Sequence, residues 1–408
     1  MRLSRIVFIG LTFGGFLAAL TFASSAEVVE DFYTDRSLSS FQTSDARFTE
    51  HVDPFTGNLF AEFQSIRIPG AGGMDIVVRH FYANHQNGNG EQPQMSEGGV
   101  GWNFHFGRIL TNRDDLCISI PDSPEKYPVI ETPDGKRQIL YPATENSFDY
   151  ITTNRWKVEC IPSSGGFMVH SPDGIQYQMD RKNTDGVHGW YTTSMKDRND
   201  NEVTVEYTGS ASQFRITKVK GTGSRTLTFA YAGIDGGILR LSSISAGVSP
   251  LLRTWNFLYG EFANAQGNYY LKAIDPPSGN SWKFSYFDYN NAQISGNFSL
   301  NKVTTPDGGT IEYTYDKIKF DPSFLLYTTV VKTRKTNDLT NNTGTWSYAY
   351  EPAGTASSAP SCSSNEYDKT TVSTPKGPEY YYHYGANMAT AGCIWRIGLL
   401  QSKQIGPY

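Results

Sequence analysis

Charge is scarce in this chain of 408 residues: Asp, Glu, Lys and Arg make up 18%, with a net charge of −5. No basic run exceeds two or three residues, so the footprint of a phosphate-backbone binder is missing and no nucleic-acid partner is expected. Beyond the N-terminus no apolar run approaches the ~20 residues of a membrane helix, so no membrane span is expected in the mature chain. The common site motifs are missing as well. There is no G-x-S-x-G elbow and no G-x-x-x-x-G-K-[ST] loop. Nor is there an H-x-x-x-H or H-E-x-x-H pair among His51, His80, His85, His105, His170, His188 and His383. The glycine-rich stretch 70–73 leads into a strand, so it offers no helix N-terminus to an anion. Hence no catalytic residue, no cofactor and no metal is expected. A carboxylate pair for glycan hydrolysis would have to converge from distant turns.

Aromatics (14%) and glycine (39 residues) are plentiful, which is the composition of a turn-rich all-β chain. Residues 301–316 display the unit. Pro306-Asp307-Gly308 is a tight turn, because proline presets φ and glycine accepts the left-handed position. After it Ile311, Tyr313 and Tyr315 alternate with Thr310, Glu312 and Thr314, which is strand periodicity. The same triplet recurs as Val203-Val205-Tyr207, Leu227-Phe229-Tyr231, Trp255-Phe257-Tyr259, Trp282-Phe284-Tyr286, Trp346-Tyr348-Tyr350 and Tyr380-Tyr382-Tyr384. Closing tyrosines fall 24, 28, 27, 29, 35 and 34 residues apart. Apolar pairs three apart precede several of them: Ile216/Val219, Leu241/Ile244, Leu271/Ile274 and Leu300/Val303. This is a repeat array of antiparallel hairpins, in which Tyr313 is expected to be buried and Glu312 and Thr314 exposed.

Arg2 and Arg5 precede an apolar run to about Phe22, and Ser24-Ser25-Ala26 supplies a small-residue exit. Residues 1–26 read as a signal peptide, with an uncleaved anchor as the alternative; the product is secreted, periplasmic or held at the cell surface. Residues 27–48 are a polar lead-in. Four cysteines allow three pairings. Sequence proximity favours Cys117–Cys160 and Cys362–Cys393, against the alternative of four buried free thiols. The cluster Asp197-Arg198-Asn199-Asp200-Asn201 has the oxygen density of a calcium loop, but Arg198 lies inside it and Glu202 comes too early, so it reads as a solvated turn. Aromatics on a β-surface could stack on sugars, yet shared faces of hairpins are first of all core. Sequons stand at 297–299 and 341–343, relevant only in a eukaryotic host.

One ordered set of residues resembles the opening of rearrangement-hot-spot (Rhs) and YD-repeat proteins. Asp53, Thr56-Gly57 and Leu59 match a D-x-x-T-G-x-L turn, and Ile68-Pro69-Gly70-Ala71-Gly72 matches L-P-G-x-G. Arg79-His80-Phe81-Tyr82 varies an R-x-Y strand, and Gly99-Val100-Gly101-Trp102 matches G-x-G-W. Downstream, Thr305-Pro306-Asp307-Gly308 and Tyr313-Thr314-Tyr315-Asp316 look like degenerate YD repeats. The resemblance implies an Rhs-like N-terminal β module at 49–190 and YD-like hairpin repeats at 191–408, spiralling as a curved, shell-like sheet. It further implies a non-enzymatic structural protein for toxin delivery or cell-surface contact. Its partners would be a C-terminal shell continuation or toxin cargo, or a glycan or cell-surface partner. The family's C-terminal self-cleavage motif and toxin domain have no match, so the repeats are expected to be truncated, the first part of a shell. A carbohydrate-binding surface protein is the alternative, and a secreted β-rich glycan-degrading enzyme comes third.

Overall fold

The computed structural model describes residues 47–406 except 85–94, 112–115, 118–126, 144–148, 162–164, 184–188, 211–213, 234–238, 248–250, 264–266, 288–297, 325–326, 339–342, 355–361, 363–365 and 390–392. The expected signal peptide and all but the last two residues of the lead-in lie outside the described residues. Among the described residues there are strands and short 3-10 turns but no α-helix, so the fold is all-β as the alternation predicts. Among the described residues no helix is long and apolar enough to cross a membrane.

One five-residue turn builds hairpin after hairpin. In Thr305-Pro306-Asp307-Gly308-Gly309, the Thr305 N–H donates to the Gly309 carbonyl and the Gly308 N–H to the Thr305 carbonyl, both at 2.9 Å. Gly308 takes φ +90°, the left-handed position that closes a type I turn. The same pair of bonds closes 132–136 and 171–175, the two other Pro-Asp-Gly turns, and also 152–156 and 197–201. In 197–201 Asp200 holds the left-handed site at φ +62°. Asp197 Oδ1 accepts the N–H groups of Asn199 (2.7 Å) and Asn201 (2.9 Å) and Oδ2 accepts the Asn201 side-chain amide (2.8 Å). The oxygen cluster is therefore the scaffold of a turn.

Two sheets carry these hairpins. Strands β1 (Phe48–Val52), β2 (Leu59–Ile68) and β3 (Ile76–Ala83) pair antiparallel and are joined by Trp102–Phe104 in a four-stranded inner sheet. The second sheet has 23 strands among the described residues. Its pairing passes from each strand to the next in the chain, from Tyr141–Pro142 to Leu400–Ile405, while Arg108–Leu110, Val129–Glu131 and Arg137–Ile139 branch from Gly189–Lys196. The expected division at residue 190 is no break in this sheet, since Gly189–Lys196 pairs with the strands on both sides of it. The change of sheet falls between Phe104 and Arg108. The inner sheet lies on the aromatic face of the large one: Phe63 meets Trp282 at 5.0 Å, Trp102 meets Phe284 at 5.1 Å and His80 meets Phe257 at 5.1 Å. One continuous core results, in which each fully buried large side chain contributes about 1.5–3 kcal/mol.

Register explains the apolar pairs three apart. Residues three apart on a regular strand face opposite ways. A bulge falls immediately before the closing tyrosine in five hairpins, at Tyr207, Tyr231, Tyr259, Tyr286 and Tyr315. The bulge absorbs one residue, so Ile216 and Val219 both turn inward, as do Leu300 and Val303. Four closing tyrosines then reach back one hairpin in register, while Tyr259 donates to the Glu97 carbonyl at 3.2 Å instead. The hydroxyls of Tyr231, Tyr286, Tyr315 and Tyr350 donate to the carbonyls of Ile216 (2.8 Å), Leu271 (3.0 Å), Leu300 (2.7 Å) and Val331 (2.9 Å). Each acceptor is the residue paired with the preceding closing tyrosine.

Tyr313 is buried at 1% exposure, while Thr314 is exposed and Glu312 half-exposed on the other side. The last triplet is a correction. Tyr348 pairs with Val372, Val372 with Glu379, and Thr370 with Tyr381, so the inward residues there are Glu379, Tyr381 and His383. Tyr380 and Tyr382 stand on the outer face. Both favoured disulfides are formed, Cys117–Cys160 and Cys362–Cys393, with Cα atoms 5.6 and 5.4 Å apart.

Candidate docking cleft

The residues that carry the family resemblance converge on one task. Asp53 folds its turn by accepting the Phe55 N–H (2.9 Å) and the Thr56 hydroxyl (2.8 Å). The Gly57 carbonyl thereby receives the Val331 N–H at 2.8 Å. At the next turn Arg225 donates to the Pro69 carbonyl, and a Cβ on Gly70 would lie 2.6 Å from that guanidinium. Arg79 pairs with Glu62 at 2.6 Å and donates to the Pro133 carbonyl at 3.3 Å, while the Tyr82 hydroxyl accepts the Leu300 N–H at 2.7 Å. Trp102 Nε1 donates to the Tyr286 hydroxyl at 2.6 Å. Each motif seats the inner sheet on a hairpin of the large one. The bulges make this feasible, because they free backbone N–H groups on the inner face: Thr192 donates to Gly107 (3.2 Å) and Leu241 to Glu97 (2.9 Å) in the same way.

A buried ion cluster closes the first part of this interface. Glu131 is held by Arg108 and Arg137, and His105 Nε2 lies 3.2 Å from it. Burial opposes the charge of Glu131, but the two guanidinium groups outweigh it and hold the carboxyl well below its usual range. The Gly107 N–H donates to His105 Nδ1 at 3.1 Å, so the ring proton sits on Nε2, facing Glu131. Burial and the neighbouring Arg108 push His105 down to about 4, and burial alone pushes His80 to about 3.

At the far end the two sheets part and leave a cleft of about 970 Å³. Glu50 and His51 of β1 line one wall, Tyr381, His383 and Lys403 another, and Ile139 with Tyr141 a third. Its charged groups are engaged: Glu50 pairs with Arg334, whose guanidinium stacks 4.1 Å from the Trp346 ring centre. Lys403 pairs with Glu379 at 2.8 Å, and Tyr381 donates to the same carboxylate at 2.6 Å. Burial lowers the pKa of His51 and His383 against the pull of Asp53, so both are neutral at pH 7. The rim is apolar and open, with Trp395 at 56%, Leu399 at 47% and Leu400 at 52% exposure. Paired charges below an exposed apolar rim suit a protein or sugar surface.

Of the histidines weighed in the sequence, His80 and His105 are buried between the sheets, His51 and His383 line the cleft, and His170 is half-buried on an outer strand. His85 and His188 lie outside the described residues, as does Asn297; Ser299 of that sequon is fully buried. Among the described residues no group of three or more His, Cys, Asp or Glu could hold a metal ion. The cleft itself has no local signature, because Glu50, Arg334, Tyr381 and Lys403 come from distant strands.

No protein-family model matches the chain, and no curated protein matches it. Among solved structures, it is similar to TcdB2-TccC3 at 11% identity and TM-score 0.30, over 85% of this chain and 20% of that one. It thus spans about a fifth of that chain's length. It is also similar to the N-terminal domain of effector protein SpvB from Salmonella typhimurium strain LT2, at 12% identity and TM-score 0.24, over 67% of this chain and 99% of that one. A porin-like protein from Bacteroides uniformis is similar at 11% identity and TM-score 0.26, over 56% of this chain and 97% of that one.

Proposed function

We propose that this chain is an exported, non-enzymatic structural protein of the Rhs/YD-repeat kind, the opening part of a shell used in toxin delivery or cell-surface contact. The observation that carries the reading is the seating of the opening module. Thr56-Gly57, Pro69-Gly70, Arg79 with Tyr82, and Trp102 are the residues of the family resemblance, and each fastens the inner sheet to the hairpin array. A hairpin array whose aromatic face is turned inward and packed on such a module is what the shell reading requires of its opening part.

The test is recovery of the exported chain from its native host together with a co-exported toxin module. Trypsin should spare that cargo while the chain is intact and destroy it once the chain is unfolded; cargo digested equally fast in both cases sinks the reading. The exported chain should begin at Glu27, and a product that keeps Met1 in the cytosol would contradict export.

The exposed Trp395 and Tyr141 at the cleft favour a second reading, stacking on a glycan. Binding on a glycan array that disappears in Trp395→Ala would support it. Glycan hydrolysis lost in Asp53→Asn would replace both readings with an enzyme.

A further inference from the structure

We propose that the outer edge of strand Leu400–Ile405 is a docking site for one further β-strand of the pattern apolar-x-aromatic-x-tyrosine, whose closing tyrosine donates to the Leu400 carbonyl. The argument is continuity of register. His383 pairs with Leu400 immediately after a bulge, as Tyr286 pairs with Leu300 and Tyr315 with Val331. Leu400 therefore holds the position of Ile216, Leu241, Leu271, Leu300 and Val331. Those five are 5%, 0%, 1%, 0% and 0% exposed, whereas Leu400 is 52% exposed. What covers Leu300 is the next strand, Thr310–Ile318, with Ile311 opposite Val303 and the Tyr315 hydroxyl on the Leu300 carbonyl. Among the described residues the register of Leu400–Ile405 is shared with Gly377–His383 alone. Among the described residues its other edge therefore pairs with no strand and offers its backbone groups. Leu400 and Lys403 also line the 970 Å³ cleft, so the inward side chains of an added strand have room beside Trp395. The partner is thus a hairpin of this repeat type, recognised by its main chain for affinity and by one tyrosine for register.

The inference rests on the shell reading for the source of that strand. The test uses the full chain carrying, after Tyr408, a flexible glycine-serine linker and a copy of residues 309–318. The linker makes pairing intramolecular. Backbone amides 401–405 should exchange roughly tenfold more slowly than in the unfused chain. A copy with phenylalanine at the Tyr315-equivalent position should lose roughly fivefold of that protection. Equal exchange with the true copy and a scrambled copy overturns the docking site, and equal protection by the tyrosine and phenylalanine copies overturns the tyrosine's part in it. Protection in the unfused chain that grows with concentration assigns the edge to a second copy and also overturns the proposal. Exchange at 401–405 reports the edge alone. An unprotected edge in a chain that still shelters cargo therefore sinks this inference and spares the shell reading, and the converse pair of results does the reverse.

Discussion

A methyl group on Gly57 would stand 2.5 Å from Val330, and the residue sits at φ +72° where side chains are strained. Both facts follow from its carbonyl having to reach the Val331 N–H at 2.8 Å. Gly57→Ala should therefore cost about 1–3 kcal/mol, read as a lower denaturant midpoint, and a silent substitution would mean that the turn is not seated. Tyr313 tests the inner face directly. It is 1% exposed beside Glu50 and Arg334, while Glu312 makes an outer-face pair with Lys302 at 2.9 Å. Tyr313→Ala should cost about 3–5 kcal/mol by loss of a packed aromatic. Glu312→Ala should stay within about 0.5 kcal/mol, because surface pairs of this kind contribute little. Equal effects at the two positions would overturn the assignment of faces.

Hairpins are where the sequence was most legible and also where it misled. Period-two triplets ending in tyrosine placed six strands on their correct faces, because alternation is a direct property of strand geometry. The seventh went out of phase because Tyr380, Tyr381 and Tyr382 are consecutive, and only register shows that Tyr381 and His383 point inward. The bulges were visible only as pairs such as Ile216/Val219, whose spacing of three contradicts a regular strand. The cleft was not legible at all, since its walls come from β1, from Gly377–His383 and from the first strands of the large sheet. The tyrosine latch follows from the bulge and gives a prediction at this scale. Tyr231→Phe removes one hydroxyl from a backbone carbonyl, at about 1 kcal/mol, whereas Tyr286→Phe also leaves the buried Trp102 N–H without its acceptor and should cost about 2–4 kcal/mol. Four strand spacings of about 4.8 Å separate them, far enough for the two losses to add. A double variant much worse than the sum in urea unfolding would mean that the latches act as one cooperative column.

For the whole molecule, the decisive surface is the one between the two sheets, and its histidines make that surface sensitive to acid. His80 is enclosed by Phe63, Phe104 and Phe257, with the Ser65 hydroxyl 2.9 Å from its Nε2. His105 lies between Phe81 and Glu131, with Arg108 and Arg137 on the same carboxylate. Native pKa values of about 3 and about 4 mean that both rings stay neutral where the unfolded chain already binds protons, near its ordinary 6.5. The unfolded state then holds more protons, so stability falls as pH falls from about 6.5 toward 4, at roughly 1.4 kcal/mol per pH unit for each ring. Together they should remove roughly 3 kcal/mol between pH 7.5 and pH 5.5. Burial of His51 and His383 acts in the same direction at the cleft. Glu131 adds a later loss below the carboxylate range, because its native pKa is the depressed one. Urea midpoints at the two pH values measure the sum. His80→Phe, which keeps an aromatic ring within the same cage, should remove about 1.4 kcal/mol of the dependence between pH 7.5 and 5.5. Stability independent of pH across that interval would show that the inner sheet does not enclose these rings and is not seated on the aromatic face of the array.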